Sequence, residues 1–171
     1  MIKKILGFLD KIAPPQKVYA HCDIPCGIYD PHQAQVAAHT AIRMTKMLVD
    51  LDEKDDKKAD HQIVRLTKVK EEHAELVKHE VRIIWGDFFK QEHIGKNPGL
   101  HDLVFNIMKL ASKAKQEINE DAANELLVKV QEFAEIFWKV KGLEPVRIKS
   151  GYPTEGEIVS HRWTLPFLDL K

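Results

Sequence analysis

Residues 31–51 read PHQAQVAAHTAIRMTKMLVDL. Ala34, Ala37, Ala38, Ala41, Met44, Leu48 and Leu51 recur there every three or four positions. That spacing gathers apolar side chains on one face of a helix. Asp30-Pro31 sets a capping residue ahead of a proline at the first helical position, which starts a helix for two reasons at once. The same period continues to about residue 141, so the body of the chain reads as helical throughout.

Downstream, Asp52–Asp60 is dense in charge and poor in apolar side chains, and it reads as a solvated turn or helix end. A long second helix is expected to reach about Lys90, with Ile63, Leu66, Val69, Leu76, Val77, Ile84, Trp85 and Phe88 inward. Gly95, Asn97 and Pro98 make Gln91–Pro98 a loop,. A third helix spans roughly Gly99 to Gln116, with Leu100, Leu103, Val104, Ile107, Met108 and Ala111 apolar. After a turn and N-cap at Asn119-Glu120-Asp121, a fourth runs to about Lys141 and carries Leu126, Leu127, Val130, Phe133, Ile136 and Phe137. Four amphipathic helices on short loops predict an antiparallel four-helix bundle. From Gly142 the character changes. Pro145, Gly151, Pro153, Gly156 and Pro166 interrupt any helix, while Trp163, Leu165, Phe167, Leu168 and Leu170 argue against a free tail,. The fold class is therefore all-α, with an irregular C-terminal tail docked on its own bundle or on a neighbouring subunit.

The chain has 171 residues, enough for one domain with a real core,. It is neutral overall, with 26 basic and 26 acidic side chains, but the charge is divided. Residues 1–20 hold four lysines against one aspartate, a net of +3, and the rest is net −3. That balance argues against a nucleic-acid partner. No apolar run approaches the roughly 20 residues of a membrane span.

Upstream of the first helix lies His21-Cys22-Asp23-Ile24-Pro25-Cys26-Gly27-Ile28-Tyr29-Asp30-Pro31, which holds both cysteines of the chain. Two cysteines do not make a disulfide scaffold, and their closeness points to metal or redox chemistry. A small disulfide loop is the bland alternative. Cys-x3-Cys without a second pair is wrong for a structural zinc site; zinc would have to recruit His32 and His39. The twenty residues ahead, MIKKILGFLDKIAPPQKVYA, contain an amphipathic stretch (Ile2, Ile5, Leu6, Leu9, Ile12) that Pro14 and Pro15 terminate,. Asp10 and Lys11 break the apolar run that a secretory signal requires,. Residues 1–20 read as a cleavable pro-segment, and cutting Ala20–His21 would make His21 the N-terminus. An α-amine titrates near pH ~7.7–8 and can then bind metal. The amine of His21 with the amide nitrogen and sulfur of Cys22 closes two fused chelate rings. Cys26 adds a second sulfur, and the His21 imidazole can sit axial. A square plane of nitrogen and sulfur favours Ni(II) or Cu(II).

The segment HCDIPCGIYDP closely resembles the nickel hook of nickel superoxide dismutases, and KEEHAELVK (70–78), WGDFFK (85–90) and EIFW (135–138) are similar to that family as well. The resemblance covers roughly residues 21–140. It implies a superoxide dismutase that converts superoxide to oxygen and hydrogen peroxide by Ni(II)/Ni(III) cycling, with one Ni2+ per subunit. It implies His21, Cys22 and Cys26 as ligands. Tyr29 matches a tyrosine beside the open metal face that positions substrate or water, and Asp23 matches a residue supporting the hook. It further implies a homohexamer and a dedicated processing peptidase; a cytoplasmic location without a membrane is expected. Ala37 and His73 stand where well-known members have a glutamate and an arginine that orient the axial histidine, and Phe88 stands where a tyrosine is familiar. The expected organisation is pro-segment 1–20, nickel-binding hook 21–31, bundle 32–141 and C-terminal extension 142–171.

Overall fold

A computed structural model describes residues 27–162. The pro-segment, His21, Cys22, Asp23 and Cys26 lie outside the described residues, as do Trp163 to Lys171. The chain is mostly helical. Its elements are α1 (His32–Val49), α2 (Asp56–Ile83), a π-helical turn (Ile84–Phe88), α3 (Gln91–Lys96), α4 (Leu100–Gln116), α5 (Glu120–Val140), β1 (Pro145–Lys149) and β2 (Glu157–His161).

Three of the four long helices start where a side chain satisfies the first free amides. Asp30 Oδ1 accepts from the His32 N–H at 2.7 Å, so the helix opens one residue after Pro31. Asp55 Oδ1 accepts from Lys57 and Lys58 at the head of α2, and Asn119 Oδ1 accepts from Ala122 at the head of α5. The helices then close a ring: α1 packs on α2 and α5, and α4 packs on the other side of both. Ala34, Ala37, Ala38 and Ala41 are all but fully buried, against a core that includes Val77, Val81, Ile107, Leu126, Phe133 and Phe137. Burying each of the larger side chains contributes roughly 1.5–3 kcal/mol. Small residues along α1 allow α2 and α5 to approach it closely.

Three expectations are corrected. Ile63 and Trp85 are exposed, at 42% and 36%. The cause at Trp85 is the π turn, in which the Phe89 N–H reaches back five residues to the Ile84 carbonyl. The extra residue in that turn rotates Trp85 outward, where Nε1 donates to His101 Nδ1 at 3.2 Å. It turns Phe88 and Phe89 inward onto Phe137 and Phe133, with ring centroids 4.7 and 5.6 Å apart. Second, the predicted loop 91–98 contains the short helix α3, whose first turn is held by the Lys90 N–H donating to His93 Nδ1. Lys70 is 2% exposed. Its ammonium donates to the carbonyls of Ala114, Lys115 and Glu117 at 2.6–2.8 Å, capping the C-terminal end of α4,. Burial lowers its pKa, opposed by Glu71 and Glu117.

The third concerns the tail, and with it the all-α class: the chain is mostly helical with one small sheet. Residues 145–161 are not irregular: β1 and β2 form an antiparallel hairpin, Pro145 opposite His161 and Lys149 opposite Glu157. Val146, Ile148, Ile158 and Val159 supply two short runs of strand-favouring side chains,. The Gly and Pro residues that argue against a helix fall mainly in the turn between them. The hairpin docks on α1 and α5, with Ile158 and Val159 buried. This realises one of the two expected outcomes for the tail, docking on its own chain.

His39 of α1 lies in that seam, 3% exposed, with Nδ1 2.8 Å from Thr154 Oγ1 and Nε2 3.2 Å from the Glu157 carbonyl. Burial lowers its pKa below 6.5, and the hydrogen bond to Glu157 opposes this. Above that pH the imidazole is neutral folded or unfolded and contributes no pH dependence. As pH falls below it, the unfolded chain takes up a proton that the docked seam resists, so stability is lost down through the lowered folded pKa. Urea melts between about pH 7.5 and pH 5 should show this loss in the wild type and a flatter profile in His39→Gln. An equally steep profile in the variant would place the dependence on other groups.

Candidate metal centre

The described part of the hook is its root. Gly27 adopts φ +73°, a left-handed conformation that glycine takes without strain,. Ile28 is 77% exposed, whereas Tyr29 is half-buried. The Tyr29 ring lies 5.9 Å from that of Phe88, which is itself wedged against Phe89, Phe137 and His93. The Tyr29 carbonyl accepts from Lys141 Nζ at 3.4 Å. That ammonium also lies over the rings of Phe137 and Trp138, 5.1 and 5.7 Å from their centroids. Both ends of α5 and α2 that matter here therefore converge on the root of the hook. A cleft of about 320 Å3 opens beside it, lined by Ile28, Tyr29, Asp30, His32, Glu80 and Ile83.

Tyr29 is thus placed where the hook joins the helices, held by aromatic side chains that the π turn delivers. The residues at the two departing positions do something else. Ala37 is buried in the core and has no polar group with which to orient an imidazole. The Nδ1–H of His73 donates to the Val69 carbonyl of its own helix at 2.8 Å. Phe88 offers no hydroxyl and works as the platform for Tyr29. Sequence reasoning missed Lys141, because its partner lies 112 residues away and no periodicity reports a backbone contact at that range.

Among the described residues, no three His, Cys, Asp or Glu side chains are arranged to hold a metal ion. Both thiols of the chain and an imidazole lie within six residues of one another in the sequence of the hook. Thiolate and nitrogen donors suit nickel, so the residues present fit that metal.

Residues 16–141 match the family model of nickel-containing superoxide dismutases. The chain belongs to this family. It is 37% identical over 129 residues to the nickel superoxide dismutase of Streptomyces coelicolor, covering 75% of this chain and 94% of that protein. The enzyme of Streptomyces seoulensis is 36% identical over the same length. A native nickel superoxide dismutase structure aligns with a TM-score of 0.64 at 36% identity, over 71% of this chain and 99% of that one. Membership makes this protein a nickel-dependent oxidoreductase that disproportionates superoxide. The hairpin lies past the end of the family match at residue 141.

Proposed function

We propose that the active enzyme begins at His21, after a processing peptidase removes residues 1–20. The hook that follows, residues 21–31, then binds one nickel ion per subunit. The α-amine and imidazole of His21, the amide nitrogen and sulfur of Cys22 and the sulfur of Cys26 are its ligands. Nickel held this way supplies one-electron cycling between Ni(II) and Ni(III), through which two superoxide anions and two protons become one oxygen and one hydrogen peroxide. The chain's own residues prepare that chemistry. Tyr29 positions the substrate or a water at the open metal face, and its ring is steadied by Phe88. Asp23 supports the hook. Ala37 and His73 do not reproduce the familiar pair that orients the axial imidazole.

The bundle of residues 32–141 is read as an antiparallel four-helix bundle that carries the hook at its N-terminal end, followed by the extension 142–171. We read the assembly as a cytoplasmic homohexamer. The broken apolar run of the leader supports the location, and no helix among the described residues is long and apolar enough to cross a membrane. With a net charge of −3 after processing, attraction of superoxide has to come from local cations, and Lys141 stands beside the root of the hook,.

The observation that carries this reading is HCDIPCGIYDP itself, in a chain whose residues 16–141 match the family. Intact-mass and metal analysis of protein purified from its natural source tests it. The expected result is a chain lacking twenty residues and holding one nickel. A fully active enzyme that retains residues 1–20 would overturn the proposed cleavage.

A further inference from the structure

We propose that the C-terminal hairpin is a brace for the hook, and that Gln35 is the positioning residue through which it acts. The proposal rests on the functional reading above for what the hook holds, and on the geometry for the brace itself. Gln35 sits one turn into α1 and is fully buried. Its amide pairs with β2 as a peptide group would. Oε1 accepts from the Val159 N–H at 2.7 Å, and Nε2 donates to the Val159 carbonyl at 2.9 Å. Nε2 also points at the Pro31 carbonyl, 3.5 Å away, which the Gln35 backbone N–H reaches at 3.3 Å. Pro31 is buried, and it is where the hook ends and the helix begins. One side chain thus ties residue 159 to the foot of the hook.

The hairpin can serve as a brace because its other side is anchored independently. Gln131 Nε2 of α5 donates to the Glu157 carbonyl at 2.6 Å. Arg147 of β1 pairs with Glu135 of α5, its Nε 2.8 Å from the carboxylate, and donates to Gln131 Oε1 at 3.1 Å. Lys141, at the end of the same helix, holds the Tyr29 carbonyl. The foot of the hook is therefore gripped from α5 twice, directly by Lys141 and through the hairpin by Gln35. A metal chelated by a short hook leaves when the hook opens, and fixing its foot lowers the population of open states. The brace lies beyond the span matched by the family, so it adds to the metal site rather than restating it.

The test compares wild type with Gln35→Met, which keeps the volume and removes both amide groups. It uses the whole chain after residue 20, loaded with nickel. Nickel transfer to an excess of chelator should quicken on the order of 10-fold, the scale on which outer-shell contacts act. Amide exchange over residues 28–36 should quicken too, while that of α4 stays unchanged. Arg147→Met loosens the hairpin from outside and should move both readouts in the same direction by less; it keeps the test available should Gln35→Met not fold. Lys149→Ala, at the exposed far end of β1, should change neither. Unchanged nickel release and unchanged exchange at 28–36 in a folded Gln35→Met protein would overturn the brace. Should wild type hold no nickel, the functional reading fails, and exchange at 28–36 in the metal-free chains still decides the brace.

Discussion

Replacing Cys22 with serine should abolish nickel-dependent superoxide removal, by more than about 100-fold, a larger loss than outer-shell changes produce. The argument is chemical. A metal ligand has to be deprotonated to bind. A thiol gives up its proton near neutral pH once a metal is present, whereas a serine hydroxyl does not. Soft thiolate donors also select this class of metal over hard oxygen sites. Serine keeps the backbone nitrogen of residue 22, so in the proposed ligand set the substitution removes the sulfur and opens the chelate ring that the sulfur would close. The fold should survive, since the core among the described residues is built from α1, α2, α4 and α5. The expected result is a variant with native helicity and melting temperature, no stoichiometric nickel and no activity. Full activity in Cys22→Ser would sink the thiolate mechanism.

Adding a single alanine ahead of His21 should be nearly as damaging. The added residue turns the α-amine of His21 into a peptide amide. That nitrogen is no longer a neutral amine with a free lone pair near pH ~7.7–8. It also moves the free amine out of the five-membered ring that it shares with the Cys22 nitrogen. Both thiols and the imidazole remain, so any nickel still bound should be held in a different geometry. Superoxide removal should fall by about 100-fold or more against a chain beginning at His21. The visible absorption of the nickel–thiolate chromophore should shift as well, which separates altered ligation from lost protein. Equal activity and an identical spectrum from the two chains would show that the α-amine is not a ligand. On the same logic, the whole chain from Met1 should show no nickel-dependent activity until residues 1–20 are removed.

Much of the fold was legible because helix period is a local property. The inward faces of the third and fourth predicted helices, Leu100 to Ala111 and Leu126 to Phe137, are the buried or half-buried faces of α4 and α5. The failures share a cause. Trp85 and Phe88 fall on the same predicted face, and only the π turn sends one outward and the other in. Nothing near Lys70 in the chain announces that the end of α4 will present three carbonyls to it. The hairpin was hidden because Gly and Pro signal where helix stops, while strand pairing depends on the partner strand.

The sequence by itself carried the proposed donor set. His21 and Cys22 are adjacent, so the chelate rings proposed for them follow from covalent spacing, whatever the rest of the chain does. It also determined which faces of the helices turn inward, since burial of apolar side chains is the dominant favourable term in folding. Only the tertiary structure decided what holds the foot of the hook. Tyr29 meets Lys141 across 112 positions, and Gln35 meets Val159 across 124. Hydrogen bonds at such separations form only where packing has already placed α1, α5 and the hairpin side by side, and that placement is a property of the whole chain.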